Sequence, residues 1–339
     1  MKKYINKVVE QQDLNKEEAE EAMKTIMSGN ATEAQIGSFL TALRLKGETV
    51  EEITACAKIM RDFAARIHPK VEGTLVDTCG TGGDKIKTFN ISTVSAFVVS
   101  GAGIPIAKHG NRSVTSKSGS ADVLEALGVK IDIPPKEVEK NIEDIGIGFM
   151  FAPGFHSAMK HVIGARREMG IRTVFNILGP LTNPAHAQAQ VLGVFDPDLT
   201  EKMVNVLNDL GTETAMVVHG MVSLDEISTV GETKVSELKD KMVTTYKIKP
   251  EDYGLKRANI YELLGGDPEE NASIAKSILK DGEKGPKRDI VVLNAAAGIY
   301  VGGKADSISV GIDLARESID SGEAYKKLEL LIKHTNAAA

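Results

Sequence analysis

The first 68 residues carry apolar side chains at helical spacing, and the predicted helices begin with capping sequences. In a capping box, an Asn, Ser or Thr and a Glu or Gln three residues later each accept a hydrogen bond from the other's backbone N–H. Three pairs fit this pattern: Asn15 with Glu18, Thr32 with Gln35, and Thr49 with Glu52. Each pair precedes an apolar-periodic run, which predicts a small, wholly helical lobe.

The helix expected after Thr32 has an apolar stripe formed by Ile36, Phe39, Leu40 and Leu43. Such a stripe needs another surface to cover it. A small lobe buries one face against itself, and a remaining stripe suits packing against a second copy of the chain. The stripe therefore predicts a dimer surface on the helical lobe.

After His68 and Pro69 the pattern changes to short apolar runs that alternate with helical periodicity. The predicted strands lie near residues 74–78, 104–107, 129–133, 147–151, 190–195 and 214–219. The predicted helices lie near residues 92–102, 120–127, 135–145, 156–169, 199–210, 271–280 and 311–333. Strand–helix alternation is typical of an α/β fold with a largely parallel sheet flanked by helices.

Two segments interrupt this alternation. Thr173–Pro184 contains two Pro-containing turns and predicts a crossing between lobes with short helices of its own. Between residues 220 and 270 the clearest signal is an antiparallel strand from Met242 to Ile248. The expected organisation is a small all-helical domain (1–68), joined by short helices near 173–188, and a large α/β domain (69–339) with a mostly parallel central sheet.

Composition narrows the class of protein. A content of 42% hydrophobic and 26% charged residues is that of a soluble globular protein, and the net charge of −6 argues against a general nucleic-acid or anionic-membrane binder. Cys56 and Cys79 lack CxxC spacing, which fits a reducing compartment without disulfides or structural zinc. The charged start of the chain predicts no signal peptide, and no apolar run approaches the roughly 18 residues of a membrane span. We therefore expect a cytoplasmic protein.

The densest glycine cluster lies between a predicted strand and a predicted helix, in residues 79–93, which we call the first loop. Three of residues 80–83 are glycine, so the backbone can adopt left-handed conformations and bring several N–H groups close to one anion. The polar segment Asn90–Thr93 follows where the next helix begins, at its positive end. These features predict phosphate binding, although a tight turn without a ligand would use the same glycines.

Two better-known phosphate-binding motifs do not fit the first loop. A Walker A loop needs glycine directly before Lys-Ser/Thr, whereas Lys85 lies between Asp84 and Ile86. A dinucleotide fingerprint that used Gly80 and Gly82 would need a third glycine at position 85. The loop is therefore a different kind of candidate.

The second loop, residues 108–122, also follows a predicted strand and precedes a helix. It concentrates Lys108, Arg112 and Lys117 in an acidic chain, among five hydroxyl groups and two glycines. Loops at the carboxyl ends of neighbouring parallel strands face one crevice, so we expect both loops to bind one polyphosphate. A solvated basic loop, capped by a serine at the next helix, is the alternative.

Two further groups are candidates for chemistry. The pair Asp225-Glu226 follows the strand ending at His219, and magnesium is commonly held by one or two carboxylates while substrate phosphates complete its shell. Adjacent carboxylates are also common in solvated turns. Arg166 carries a planar fork that matches a carboxylate on an acceptor, although paired arginines such as Arg166 and Arg167 are commoner on surface helices.

These motifs, in this order, resemble the anthranilate phosphoribosyltransferase family. The matching segments are Asp77–Asp84, Asn90–Thr93, Lys108–Arg112, Ser118–Asp122, Phe175–Pro184 and Asp225–Ser228. The resemblance runs from the first helices to the C-terminal helix, and its motifs are long and specific. It implies the nucleoside phosphorylase/phosphoribosyltransferase type of α/β fold and a homodimer formed through the helical lobes.

The resemblance also implies an activity. The phosphoribosyl group of 5-phosphoribosyl 1-diphosphate, the donor, would pass to the amine of anthranilate in tryptophan biosynthesis, with release of pyrophosphate and with Mg²⁺ as the cofactor. No partner among nucleic acids or membranes is implied. An aromatic amine is already neutral and nucleophilic, so no general base is assigned, and His109 and His156 are left as candidate contacts to the acceptor.

Site residues are implied where the motifs match. The residues implied to bind the donor are Gly80, Gly83, Asp84, Thr88, Asn90, Ile91, Ser92, Thr93, Lys108, His109, Gly110, Asn111, Arg112, Ser113, Val114, Thr115, Ser116 and Ser120. The residues implied to contact anthranilate are Gly80, Asn111 and Arg166. The residues implied to hold Mg²⁺ are Ser92, Asp225 and Glu226.

Two departures from the family pattern affect only local loop shape. Ser157 stands where proline is usual after His156, and Ser223 stands where glycine often precedes Leu-Asp-Glu. Three alternatives remain at this point: a pyrimidine nucleoside phosphorylase, another phosphoribosyltransferase of the same fold, or a non-catalytic nucleotide-binding regulator. Asn176–Pro184 with Arg166 favours anthranilate over a pyrimidine, and the carboxylate pair favours catalysis over binding alone.

Overall fold

The N-terminal part of the chain is helical, as its capping sequences predict. The computed structural model describes residues 1–83, 86–113 and 117–338. Its first helices are α1 (Lys2–Val9), α2 (Lys16–Met27), α3 (Glu33–Lys46) and α4 (Val50–Asp62). The capping boxes at Asn15, Thr32 and Thr49 all form, each with both of its hydrogen bonds. The predicted helix starts are therefore confirmed.

The described residues form one sheet of seven strands. They are β1 (Val76–Gly80), β2 (Ile106–Gly110), β3 (Ile147–Phe151), β4 (Ala189–Gly193), β5 (Thr214–Gly220), β6 (Thr233–Lys239) and β7 (Met242–Ile248). Their order is β3-β2-β1-β4-β5-β6-β7. β1 to β5 pair in parallel, and β6 and β7 continue the sheet in antiparallel pairing. The prediction of a mostly parallel sheet and of an antiparallel strand at Met242–Ile248 is confirmed.

Helices cover the sheet and connect its strands. They are α5 (Ile91–Gly101), α6 (Ser120–Ala126), α7 (Pro135–Ile145), α8 (Ala152–Phe155), α9 (Lys160–Met169), α10 (Phe175–Leu178), α11 (Leu199–Asp209), α12 (Pro268–Leu279), α13 (Pro286–Val301), α14 (Ile308–Asp320) and α15 (Glu323–Ala337). Short 3-10 helices occupy Ser157–Met159, Gly179–Leu181, Pro250–Tyr253 and Ile260–Leu263. Within the described ranges, no helix combines the length and apolar character needed to cross a bilayer.

The apolar stripe of α3 is covered within a single chain. Ile36, Phe39, Leu40 and Leu43 are each only 1% exposed, in a core shared with α1 and α9. The expectation that this stripe forms a dimer surface is therefore wrong, because α9 from the α/β part of the chain already packs on it.

The predicted strand at 129–133 is absent. Val129 and Ile131 are buried as a strand would require, but the Lys130 N–H donates to Thr335 Oγ1 of α15 at 3.1 Å. The apolar alternation therefore reflects packing under the C-terminal helix, and the backbone here pairs with a side chain.

Four other elements differ from prediction. α13 lacks a polar face, since twelve of its sixteen residues are buried, so it shows no amphipathic period. The helix predicted at 311–333 is two helices, broken at Gly322, which adopts φ +81°. The helix predicted at 156–169 is interrupted by the 3-10 turn Ser157–Met159. β6 was not predicted at all.

Candidate active site

The candidate site lies at the carboxyl edge of the sheet, where the strand order reverses between β1 and β4. Open α/β sheets form a ligand crevice at such a switch point. β1 and β4 both end in glycine, Gly80 and Gly193, which pair in register. A Cβ at Gly193 would lie 1.6 Å from the Asp225 carbonyl oxygen, and one at Gly80 would lie 2.6 Å from Asp225 Oδ2. Glycine at both positions therefore lets Asp225 lie directly over the crevice.

The acidic pair contacts the first loop at two places. Asp225 Oδ2 accepts a hydrogen bond from the Gly82 N–H at 2.9 Å. Glu226 Oε1 accepts one from the Ser92 N–H, in the first turn of α5, at 3.0 Å. The structure thus brings the three predicted metal-site residues together, although Ser92 and Glu226 lie 134 residues apart in the chain.

The glycines of the first loop adopt the conformations that their number predicts. Gly82 and Gly83 have φ values of +65° and +78°, in the left-handed region. The loop turns sharply there, and its N–H groups at Gly82 and Ser92 both point to carboxylates. An array of N–H groups that binds carboxylates is also suited to phosphate oxygens.

A buried asparagine fixes the segment that carries the acidic pair. Asn294 of α13 accepts a hydrogen bond from the Ile227 N–H and donates one to the Ile227 carbonyl, both at 2.9 Å. Burial raises the pKa of Asp225 above its ordinary value, and the Gly82 N–H opposes that rise. A cation bound beside Asp225 would stabilise the charged form of this buried carboxylate.

Asn90 joins the first loop to the second. Its Nδ2 donates to the Ser118 carbonyl at 3.1 Å, while its Oδ1 accepts from Ser118 Oγ at 3.3 Å. Asn271 of α12 also donates to Asn90 Oδ1, at 3.1 Å. The two loops therefore form one connected wall, as the arrangement of their strands predicts.

The second loop is closed by its own aspartate. Asp122 Oδ2 accepts hydrogen bonds from the Gly119 N–H at 2.8 Å and from the Ser113 N–H at 3.1 Å. Arg112 pairs with Asp122 at 3.0 Å and also with Glu125. The Arg112 guanidinium is therefore committed to two carboxylates of its own loop and helix, and its charge is not directed to the first loop.

A buried lysine and a buried aspartate lie beneath the loops. Lys108 is 3% exposed and donates to the Thr78 carbonyl, and Asp77 is fully buried beside it. Asp77 accepts hydrogen bonds from the His109 N–H and from the side chains of Asn183 and Gln190. Burial lowers the pKa of Lys108, and the nearby Asp77 carboxylate counteracts that effect. The pair ties β1, β2 and the 180–190 segment together under the site.

Two buried histidines, His109 of β2 and His156, lie together. The ring centroids of His109 and His156 are 5.0 Å apart. Burial lowers the pKa of His109 to about 3 and that of His156 to about 4, so both imidazoles are neutral at pH 7. His109 Nε2 is buried and has no hydrogen-bond partner in the described part of the chain. A neutral imidazole pair fits an aromatic acceptor better than it fits a phosphate.

Arg166 lies over the ring of Phe175. Its Cζ atom lies 5.4 Å from the centroid of the Phe175 ring, and burial lowers its pKa. Among the described residues, no carboxylate lies within ion-pair distance of its guanidinium. This partly buried guanidinium therefore lies against Phe175, in the predicted acceptor segment.

Thr88 lines a cleft of about 410 Å³ beside the wall that joins the loops. Lys87, Lys117, Ser118 and Tyr261 also line it. Asp84, Val114, Thr115 and Ser116, all predicted to bind the donor, lie outside the described residues.

Three contributing residues were missed from the sequence. Arg172 donates to the Gly83 carbonyl at 2.7 Å; it directly precedes the Thr173–Pro184 segment, which was the available signal. Asn271 follows the Gly265-Gly266 pair, a weak sign of a close approach. Asn294 lies in a helix whose pattern does not reveal it, so no signal pointed to it.

Family models match both parts of the chain. The model described as "Glycosyl transferase family, helical bundle domain" matches residues 2–64, and the one described as "Glycosyl transferase family, a/b domain" matches residues 72–325. The anthranilate phosphoribosyltransferase of Acetivibrio thermocellus is 59% identical over 337 residues, covering 99% of this chain and 97% of that protein. The enzyme of that name from Symbiobacterium thermophilum is 54% identical, with 99% and 98% covered.

Solved structures agree with these relatives. Anthranilate phosphoribosyltransferase from Thermus thermophilus superposes with a TM-score of 0.93 at 45% identity, covering 98% of this chain and 99% of that one. The Saccharomyces cerevisiae enzyme in complex with PRPP and Mg superposes with a TM-score of 0.89 at 30% identity, covering 99% and 97%. The predicted roles of individual residues stay predictions, but the resemblance seen in the motifs is confirmed. The chain belongs to the anthranilate phosphoribosyltransferase family.

Proposed function

We propose that this chain transfers the phosphoribosyl group of 5-phosphoribosyl 1-diphosphate to the amine of anthranilate, in tryptophan biosynthesis. The products are N-(5-phosphoribosyl)anthranilate and pyrophosphate. The observation that carries the proposal is the acidic pair: Asp225 and Glu226 contact the glycine turn and the start of α5, over the switch point of the sheet. Relatives with this name match nearly the whole chain and support the choice of substrates.

The donor binds between the two loops. N–H groups of the first loop and of the first turn of α5 contact the diphosphate, and the second loop contributes further polar groups. The proposed donor ligands are Gly80, Gly83, Asp84, Thr88, Asn90–Thr93, Lys108–Ser116 and Ser120. The connection of the loops through Asn90 supports a single shared ligand. Arg112 contributes through its backbone, since its guanidinium is paired with Asp122 and Glu125.

Ser92, Asp225 and Glu226 hold Mg²⁺. The donor set fits this ion, because magnesium takes oxygen ligands and is usually held by one or two carboxylates with substrate phosphates. The raised pKa of Asp225 supports a bound cation, which would favour the ionised carboxylate. Bound magnesium neutralises the negative charge that develops on the departing pyrophosphate.

The chain itself contributes orientation and electrostatic stabilisation. N–H groups held in a fixed array lower the energy of developing negative charge without reorganising during the reaction. No side chain needs to remove a proton before attack, because the arylamine is neutral. The neutral His109 and His156 pair contacts the acceptor side, and Arg166 with Asn111 and Gly80 positions anthranilate through its carboxylate and ring.

The helical part forms a homodimer interface in this proposal, through a different surface from the α3 stripe. Val9 of α1, Leu45 of α3 and Ile163 of α9 are 59%, 76% and 48% exposed. α3 packs against both of the other helices, and in this proposal a second copy covers exposed apolar side chains of this group of helices. The division into a helical domain (1–68, with the 173–188 helices) and an α/β domain (69–339), and a location in the cytoplasm, complete the proposal.

The test is a fluorescence assay with purified protein, Mg²⁺, donor and anthranilate. Loss of anthranilate fluorescence that depends on the donor supports the proposal. If fluorescence persists while a pyrimidine nucleoside and phosphate are converted, the chain is a phosphorylase of the same fold. If neither substrate pair reacts while the donor still binds, the regulatory alternative is correct.

A further inference from the structure

We propose that Arg172, which none of the predicted sites includes, is a positioning residue that fixes the first loop for the donor. The inference rests on the proposed function, since it concerns the same diphosphate site. Arg172 lies three residues after the end of α9, the helix that carries Arg166, and immediately before the Thr173–Pro184 segment.

The guanidinium contacts the glycine turn directly. Arg172 Nη2 donates to the Gly83 carbonyl at 2.7 Å, and a Cβ at Gly83 would lie 2.5 Å from the same nitrogen. A Cβ at position 83 would displace the guanidinium from this position, and the φ of +78° there also favours glycine. The arginine and the glycine therefore fit each other as a pair.

An aromatic ring supports the guanidinium from behind. Arg172 Cζ lies 4.2 Å from the centroid of the Phe195 ring, the closest such contact among the described residues. The Phe195 N–H donates to Thr81 Oγ1 at 3.1 Å. Phe195 thus contacts the turn through its backbone while its ring holds the arginine plane.

The turn is held from two sides by opposite charges. Asp225 accepts from the Gly82 N–H, and Arg172 donates to the carbonyl of the next residue. A carbonyl oxygen that turned toward the donor would repel its diphosphate. The bond to Arg172 prevents that rotation, so the N–H array keeps the arrangement that an anion requires.

The charge of Arg172 is not neutralised within the described chain. Arg112, in the second loop, pairs with two carboxylates, whereas the contacts of Arg172 within residues 1–83, 86–113 and 117–338 are to a carbonyl and a ring. Its positive charge therefore strengthens the field at the first loop, in a protein whose net charge is −6.

The first experiment measures donor binding by titration calorimetry with Mg²⁺ and no anthranilate, so that chemistry is not involved. Arg172→Met keeps the length of the stem but removes the planar donors, and should weaken donor binding about tenfold, as expected for one hydrogen bond from a charged group. Arg172→Lys should recover less than half of the lost binding free energy, because an ammonium cannot stack on Phe195 while reaching Gly83. Arg167→Met, an exposed arginine on α9, is the matched control and should bind like the wild type.

Kinetics separate positioning from a merely structural role. In Arg172→Met the KM for the donor should rise about tenfold while the KM for anthranilate changes less than about twofold. Phe195→Leu should weaken donor binding about threefold, and should add almost nothing in the Arg172→Met background, since both act through one contact. Thermal unfolding of each variant checks that the fold is retained.

Two results would overturn the inference: donor affinity unchanged in Arg172→Met, or affinity fully restored in Arg172→Lys, which would make charge alone sufficient. Additive effects of Arg172→Met and Phe195→Leu would likewise refute the shared contact. Failure of the proposed function looks different, because the wild type itself would then leave anthranilate unconsumed in the presence of the donor.

Discussion

The two loops end equivalent strands of one sheet, yet they are held in shape by different means. In the second loop, Asp122 bonds to the Gly119 N–H, three residues away, and to the Ser113 N–H, nine residues away. In the first loop, the Gly82 N–H bonds to Asp225, 143 residues away. The second loop therefore stabilises its own conformation, whereas the first depends on a remote segment.

Asp225 and Asp122 differ in pKa in a way that matches this contrast between the loops. Burial raises the pKa of Asp225, and a single backbone N–H from the loop opposes it. Burial also acts to raise the pKa of Asp122, but the Gly119 and Ser113 N–H groups and Arg112 together lower it below its ordinary value. Groups of the second loop therefore stabilise the Asp122 carboxylate, whereas a bound cation would still stabilise the Asp225 carboxylate.

The largest effect is expected from a substitution at Gly193, over which the Asp225 backbone lies. Gly193→Ala places a methyl group 1.6 Å from the position of the Asp225 carbonyl, so the acidic pair must shift. A displacement of about 1 Å in a positioning group costs on the order of 100-fold in rate, and we expect kcat/KM to fall by about that factor. Steady-state fluorescence kinetics measure it.

Gly231→Ala is the control for that variant, because its added methyl would meet Val222 at an ordinary 3.5 Å. If Gly193→Ala retained wild-type kinetics, the first loop would not depend on the place of Asp225. The contrast between the loops would then fail.

Asn294→Ala removes the clamp on the segment of the acidic pair. The Ile227 N–H and carbonyl would lose their partners inside the protein, and each unsatisfied group costs about 1–3 kcal/mol. We expect a loss of about 3 kcal/mol in the free energy of unfolding and roughly tenfold weaker donor binding. Denaturant titration and calorimetry measure the two quantities.

The half-buried Asn205 offers a matched comparison, since its side chain donates to the Glu201 carbonyl of its own helix. Asn205→Ala should change stability by less than about 0.5 kcal/mol. Equal effects of the two alanine variants would show that α13 does not position the acidic pair.

Asp122→Asn tests whether residues of the second loop stabilise its conformation. It keeps the shape but removes the charge that Gly119, Ser113 and Arg112 stabilise, and should lower the free energy of unfolding by about 1 kcal/mol at pH 7. Because the folded pKa of Asp122 is lowered, this contribution is present above its unfolded value near 3.8 and is lost as pH falls through the folded value. The stability difference between wild type and variant should therefore stay constant from pH 7 to 5 and shrink below about pH 4.

Urea unfolding at several pH values follows that difference. A gap that vanished already at pH 6 would assign the effect to another group, because no lowered carboxyl pKa titrates there.

The smallest effect concerns Ser223, just before the acidic pair. Its φ of +70° is left-handed, which a residue with a Cβ adopts at a cost of about 1–2 kcal/mol. Ser223→Gly removes that strain but makes the unfolded chain more flexible, so we expect a net stabilisation of about 0.5 kcal/mol with unchanged activity. A decrease in melting temperature would show that the Ser223 hydroxyl makes a contribution larger than the strain.

The sequence predicts the features that depend on local contacts and not those that depend on remote ones. Capping boxes at Asn15, Thr32 and Thr49 involve partners three residues apart, and all three form. Strand–helix alternation and the glycine content of both loops are also local signals. The second loop's closure by Asp122 is local too, although it was not predicted in detail.

Local sequence signals could not predict the long-range contacts. The bonds of Gly82 to Asp225 and of Ile227 to Asn294 join residues 143 and 67 positions apart, and no spacing rule links them. α13 was missed because a helix buried on all sides has no polar face, and residues 129–133 were mistaken for a strand because burial produces the same alternation. The resemblance to a family compensated for this at the site itself.

The central claim is that both loops and the acidic pair form one metal-assisted donor site. Equilibrium dialysis of labelled donor tests it directly, with wild type and the isosteric double variant Asp225→Asn/Glu226→Gln, each with Mg²⁺ and with EDTA. We predict that the wild type loses at least about 100-fold in affinity without Mg²⁺, and that the double variant binds equally weakly with or without it. Wild-type affinity in the double variant, or tight binding in EDTA, would contradict the account.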